Sequence, residues 1–194
     1  LKEVKGYEKY IGRLKVCFKY RGMHRYLRFE ACVERMFVKD VLDHKYAGEP
    51  FRGPENVNIS FGTLCAKFEG PDQNWRNPLR KIGGIYLITD TKTCKRYVGR
   101  ANSGEGIWGR WGEYVGSGGH GGGKGLKALL SGMDEESREK YALYNLKFAI
   151  LEYWKLGSKT RAEAAARESH WIRIMLACSG KCGLNKMGRG RREK

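Results

Sequence analysis

The order of apolar and polar positions divides the chain into a weakly patterned first part and a more strongly patterned second part. Residues 14–20 alternate in part and predict a strand, Arg21-Gly22-Met23-His24 a turn, and residues 25–30 a return strand. Cys32, Met36, Phe37 and Val41 fall near helical spacing, so a helix is expected over residues 31–43. Two breaks follow, Gly48-Glu49-Pro50 and Arg52-Gly53-Pro54. Residues 56–61 alternate as a strand, and the Gly70, Pro71 and Pro78 stretch reads as a loop that sets a domain boundary near residue 80. Beyond it, residues 84–89 form a short apolar strand, 90–95 a polar turn and 96–99 a second strand, which together predict a hairpin. A short helix is expected over 107–115, with Trp108, Trp111 and Val115 on one face, and another begins at 126–130. Residues 146–151 predict a third strand. The strongest helix runs from Ser158, as N-cap, to Cys178, and Gly180 and Gly183 end it.

Charge changes the picture most. The 194 residues carry 38 Lys plus Arg against 21 Asp plus Glu, a formal net charge of +17. Residues 1–80 hold +6 and residues 81–194 hold +11, so the excess is not confined to a tail. Such a field attracts polyanions, and nucleic acid is the first expectation. An anionic membrane surface is the rival, but no clear basic amphipathic helix is present. Simple solubility is the plainest reading. The apolar share of 41% is enough for a core, and the 12% aromatics exclude a mainly disordered chain. No run of about 18 apolar residues predicts a membrane span, and no secretory signal is visible. The expected setting is therefore cytoplasmic, nucleoid or nucleus included. Cys17, Cys32, Cys65, Cys94, Cys178 and Cys182 are expected as reduced thiols. Cys178 and Cys182 with His170 resemble half a zinc site, which no second CxxC-type pair completes.

Two features invite chemistry. Glu168 lies 3, 4 or 7 residues from Ala164, Ala165, Trp171, Ile172 and Met175, which puts a carboxylate on the apolar stripe of its helix. There it needs a cation, a metal or hydrogen-bond donors, and pairing with an arginine is the plainer reading. The glycine cluster, 12 of 27 glycines within residues 99–125, contains Gly118-Gly119-His120-Gly121-Gly122-Gly123-Lys124-Gly125. This fits the phosphate loop G-x-x-x-x-G-K-S/T except at Gly125, where the magnesium-binding hydroxyl belongs, and it follows a helix rather than a strand. An NTPase is excluded. A flexible surface loop, or a loop whose backbone N–H groups and Lys124 touch phosphates, remains.

The hairpin gives the family resemblance. Gly84-Ile85-Tyr86, ten residues, then Tyr97-Val98-Gly99 resembles the GIY-YIG nucleases, with valine for isoleucine in the second motif. The order of later landmarks is similar too: Arg110 in the following helix, Glu168 in Arg167-Glu168-Ser169-His170-Trp171, and Asn185 in Gly183-Leu184-Asn185. The resemblance covers about residues 82–186. It implies an α/β (α+β) fold with a small three-stranded antiparallel sheet flanked by helices, over residues 81–188. It also implies a metal-dependent DNA endonuclease. Glu168 would hold one divalent ion, Mg²⁺ or Mn²⁺, by hard oxygen ligation. Arg110 would brace the scissile phosphate, with Arg100 as a further cation. Tyr86 and Tyr97 would orient or deprotonate water, Tyr114 would add a hydroxyl on the Arg110 face, and His120 is a rival base or a phosphate contact. Asn185 would orient the phosphate or cap the neighbourhood of the glutamate helix, its plainer reading being a turn residue. Trp108, Trp111 and Trp171 read as core, and His170 as structural.

Residues 1–80 read as a mixed accessory region. Lys15, Lys19, Arg21, Arg25 and Arg28 cluster around its predicted hairpin and suggest phosphate contacts; the alternative is a layer that only stabilises the core. Residues 189–194 form a basic tail. Two other classes compete with the nuclease: a non-catalytic nucleic-acid-binding module that retains the fold, and a structural-RNA-binding protein that basicity alone would support.

Overall fold

The computed structural model describes residues 6–18, 30, 33–43, 50–69, 73–178 and 180–186. Among them the protein is mixed α/β, with six helices and two antiparallel sheets of two and four strands. Two compact units separate at Leu1–Ala47 and Gly48–Lys194.

In the first unit, β1 (Leu14–Phe18) pairs with β2 (Met36–Val41), with a bulge between Lys15 and Val16. The expected helix over 31–43 is therefore a strand preceded by a single turn at Val33–Arg35. Phe37, Val38 and Val41 favour a pleated backbone, and β1 supplies the partner that the helical spacing did not anticipate. The return strand expected over residues 25–30, and with it Arg25, lies outside the described residues except for Glu30. Lys15 is exposed on β1, in register with Asp40.

In the second unit the strand order is β3-β6-β4-β5. These are β3 (Asn58–Ser60), β4 (Ile82–Asp90), β5 (Arg96–Ala101) and β6 (Leu146–Lys155). The sheet has four strands rather than the expected three. The fourth, β3, comes from the segment that the proline and glycine breaks assigned to the accessory region. Helices α1 (Phe61–Glu69) and α2 (Gln73–Leu79) follow it. Phe61, Leu64, Trp75 and Leu79 are buried in the same core as Tyr86 and Trp111, so residues 48–80 pack as part of this unit. The stretch expected as a boundary loop is largely α2, which accommodates Pro78 in its last turn.

Helix α3 (Gly106–Val115), α4 (Lys124–Leu130) and α5 (Glu135–Asn145) complete one face, where Trp108, Trp111, Tyr114, Leu126 and Ala142 meet Tyr86, Ile88 and Phe148. The opposite face packs Ile85, Val98 and Trp154 against α6 (Arg161–Ile174) through Ala164, Trp171 and Ile172. The stripe expected around Glu168 is thus the buried face of α6. Its N-cap is Thr160 rather than Ser158, because Thr160 and Glu163 form a reciprocal capping box.

Glu152 on β6 fastens α6 to the sheet. It accepts from Arg167 Nε at 2.8 and 3.0 Å and from Trp171 Nε1 at 2.8 Å. Burial alone would raise its pKa; these donors outweigh burial and hold the carboxylate below its usual 4.5. A depressed carboxylate contributes stability that is present above its unfolded pKa and is lost as pH falls through the folded one. Wild type is therefore expected to melt above Glu152→Gln at neutral pH. The gap should close as pH falls below 4.5. Thermal melts across that acid range check it.

The glycine cluster is packed in part. Gly119, Gly121 and Gly125 are buried. A Cβ at Gly125 would lie 1.7 Å from the Leu184 carbonyl oxygen, so the start of α4 docks on the 182–185 segment by bare backbone. The Leu184 backbone thus fills the space beside position 125. Gly125→Ala is expected to cost about 1–3 kcal/mol, as overpacking does, read as a lowered melting temperature.

Candidate active site

The β4–β5 hairpin owes its turn to Asp90. Its buried carboxylate accepts from the Lys92 N–H at 3.1 Å, the Thr93 hydroxyl and the Tyr141 hydroxyl at 2.9 Å. In the resulting register Tyr86 faces Gly99 and Tyr97 faces Ile88. Both tyrosines therefore share the face covered by α3. The glycine of the second motif has a steric reason: a Cβ at Gly99 would lie 2.4 Å from the Tyr86 hydroxyl oxygen, because the Tyr86 ring lies across it.

Helix α3 brings Arg110 and Tyr114 to this ring, four residues apart and so on one face. Arg110 donates from Nε to Tyr86 Oη at 3.0 Å and from Nη2 to Tyr114 Oη at 3.4 Å, while Nη1 pairs with Glu113. The two hydroxyl oxygens are 3.1 Å apart. Among the described residues, three of the five guanidinium N–H groups are thereby engaged, leaving two for another acceptor. One hydroxyl proton bridges the tyrosines; the other is left over. Tyr86 and Tyr114 are fully buried. Burial pushes both phenols far above their ordinary range, and the pull of Arg110 does not reverse it. Burial thus favours the protonated form of both, in which they hold Arg110. Tyr97 is half-buried beside them, and among the described residues its hydroxyl has no hydrogen-bond partner.

The last described segment runs along the first half of β5, with Arg96 N–H donating to the Cys182 carbonyl and Leu184 N–H to the Arg96 carbonyl, each at 2.8 Å. Asn185 finishes this rung with its side chain. Its Oδ1 accepts from Val98 N–H at 2.8 Å and its Nδ2 donates to the Val98 carbonyl at 2.7 Å. Its own N–H donates to the Ala177 carbonyl at 2.8 Å, just past α6, so Asn185 ties the end of the glutamate helix to β5. It stands in for a strand backbone and fixes the edge between Tyr97 and Gly99.

The second half of β5 is open. It borders a cleft of about 600 Å³ lined by residues 100–105 and by Gly109, Arg110, Glu113 and Arg161. Arg100 lies on the α6 face, opposite Ile85, and reaches Glu168 with Nε at 3.5 Å from Oε2. Its Nη1 is buried and has no hydrogen-bond partner among the described residues. Burial raises the Glu168 pKa, while Arg100 and then Arg110 oppose it, so both cations act on this carboxylate. Glu113 and Arg161 were not singled out from the sequence. Glu113 was recognisable as the i+3 partner of Arg110; Arg161 carried no local signal.

His120 is placed elsewhere. It lines a separate hollow with Lys127, Leu130, Ser131 and Arg138. Its Nδ1 accepts from Gly122 N–H at 3.0 Å. Burial lowers its pKa, and Lys127 and Arg138 lower it further, so the ring is neutral with its proton on Nε2. Its Nδ1 lone pair is taken up by the Gly122 N–H. Lys124 is exposed at the first position of α4.

Glu168 is a single carboxylate, and no group of three metal-ligating side chains occurs among the described residues, Cys178, Cys182 and His170 included. One half-buried carboxylate beside a cleft suits Mg²⁺ or Mn²⁺, which keep waters and take phosphate oxygens for the rest of their shell. It does not suit zinc, which needs three or four protein ligands. Among the described residues no helix is long and apolar enough to cross a membrane. Comparison with protein-family models, with curated proteins and with solved structures finds no match to this chain.

Proposed function

We propose that the chain is a metal-dependent DNA endonuclease of GIY-YIG type. The observation that carries this reading is the Arg110 guanidinium, held by Tyr86, Tyr114 and Glu113 and within electrostatic reach of the Arg100–Glu168 pair. A hydrolytic phosphodiester site needs a fixed cation at the phosphate, a place for a divalent ion and a group to take a proton from water. Arg110 supplies the first through its two unengaged N–H groups. Arg100 adds the unpartnered Nη1, for which a phosphate oxygen is a fitting acceptor.

Glu168 is the residue that would hold the ion, which when bound neutralises developing charge and polarises water. We assign Tyr97, whose hydroxyl has no hydrogen-bond partner among the described residues, to take the proton of the attacking water while passing its own to solvent; burial favours the protonated forms of Tyr86 and Tyr114, and His120 faces another hollow. The water oxygen bonds to phosphorus as the P–O bond to the leaving oxygen breaks, and solvent protonates that oxygen. Tyr86 and Tyr114 keep Arg110 in one orientation, so the donors need no reorganisation during the reaction.

Nicking of supercoiled plasmid by the full chain with Mg²⁺ tests the reading. Tyr97→Phe is expected to lower kcat by about 10²-fold or more, the usual worth of a general base, with DNA affinity retained. Retained kcat would remove Tyr97 from the mechanism. Binding of DNA without nicking at any metal concentration would favour a non-catalytic module built on the same site.

A further inference from the structure

The hollow lined by His120, Lys127, Leu130, Ser131 and Arg138 is not used by the mechanism above. It has a volume of about 240 Å³ and is assembled from three segments: the glycine loop, α4 and α5. None of its five lining residues is acidic. Lys127 is exposed, so its ammonium is hydrated and available. Arg138 is half-buried and steadied by the Met133 carbonyl at 3.4 Å. The His120 ring is oriented by Gly122 N–H on Nδ1 at 3.0 Å, which leaves its Nε2–H as a donor. The Ser131 hydroxyl donates to the Ala128 carbonyl at 2.8 Å and keeps its lone pairs. Two cations and an imidazole N–H around a small concave surface suit a tetrahedral oxyanion better than a cation or an apolar ligand.

The loop also ties the hollow to the tyrosines. One residue after His120, a Cβ at Gly121 would sit 2.6 Å from the Tyr114 ring, and two residues later a Cβ at Gly123 would sit 3.5 Å from the Tyr97 ring. The glycines let the backbone lie on both rings while the side chain of His120 lines the hollow. The hollow and the tyrosine cluster are therefore joined by a few residues of one loop.

We propose that this hollow is a second phosphate subsite, which grips a backbone phosphate of the nucleic acid away from the scissile bond. The subsite rests on the DNA-binding half of the proposed function, not on cleavage. Its role is positioning, by the charges of Lys127 and Arg138 and the N–H of His120.

The test is equilibrium binding of the full chain to a labelled DNA duplex in EDTA, measured over a range of salt. The double variant Lys127→Gln, Arg138→Gln is expected to weaken binding roughly tenfold at low salt. It should reduce the slope of log K against log salt by about 1, the signature of one lost phosphate contact. Lys140→Gln, which removes a charge from exposed α5 outside the hollow, should leave the slope unchanged. In Mg²⁺, the double variant should raise KM with kcat retained. An unchanged slope in a double variant that melts like wild type overturns the subsite. So does protection of the hollow by millimolar inorganic phosphate with no effect of the double variant on DNA, which would mark a small-anion site. Absence of nicking in wild type with the slope change intact would overturn the nuclease reading and leave the subsite standing.

Discussion

Arg110→Ala is expected to reduce Mg²⁺-dependent nicking by about 10³-fold, the loss typical of removing a preorganised donor from a transition state. The guanidinium touches both buried hydroxyls, through Nε at 3.0 Å and Nη2 at 3.4 Å. Its removal takes away the charge at the phosphate and also leaves the Tyr86–Tyr114 pair without its cation. Arg110→Lys should recover little, because an ammonium cannot reach Tyr86, Tyr114 and Glu113 at once while presenting two further N–H groups. Single-turnover kinetics would show the defect in the chemical step. A tenfold or smaller loss in Arg110→Ala would mean that this cluster is only a buried polar contact.

Glu168→Ala is expected to cost at least about 10³-fold in the same assay, because the only carboxylate on the buried face of α6 is the proposed holder of the ion. The direction of its pKa shift adds a second readout. Burial raises the Glu168 pKa despite Arg100 and Arg110. A carboxylate raised in this way is stabilising when protonated, and that stability is lost as pH rises through its folded pKa. Glu168→Gln should therefore melt no lower than wild type at neutral pH, with the difference disappearing in acid, while nicking is lost. A site held for function at a cost in stability behaves this way. A structural ion pair would behave in the opposite sense, with Glu168→Gln melting lower at neutral pH.

The parts legible in the sequence were those with strong periodicity and punctuation. The hairpin strands, α3, β6 and α6 all carried apolar runs bounded by glycine or polar turns, and the apolar stripe around Glu168 became the buried face of α6. Elsewhere two signals competed. In α1, Phe61, Leu64 and Phe68 have helical spacing and the Ser60 hydroxyl accepts from Thr63 N–H at 3.0 Å, yet the alternation of residues 56–61 read through as strand. In α5 only Ala142 is buried, so little apolar period existed to find; its signal was Asp134 as N-cap ahead of Glu135 and Glu136. That residues 48–80 pack with the second compact unit was not legible, because β3 is only three residues long, too short to announce that it joins a sheet. The candidate site divided similarly. Tyr86, Arg110, Tyr114 and Tyr97 converge because strand register and helix spacing are local rules. The contacts of Asn185 and His120 were not legible, because they depend on which backbone lies beside them, at Val98 and at Gly122.

The most direct test of the central claim is conversion of supercoiled plasmid to open circles by the purified full chain, in Mg²⁺ and in EDTA, beside Glu168→Ala. Nicking by wild type in Mg²⁺ alone, with none in EDTA or in the variant, is the predicted result. Equal nicking by Glu168→Ala, or none by wild type in either Mg²⁺ or Mn²⁺, would contradict it.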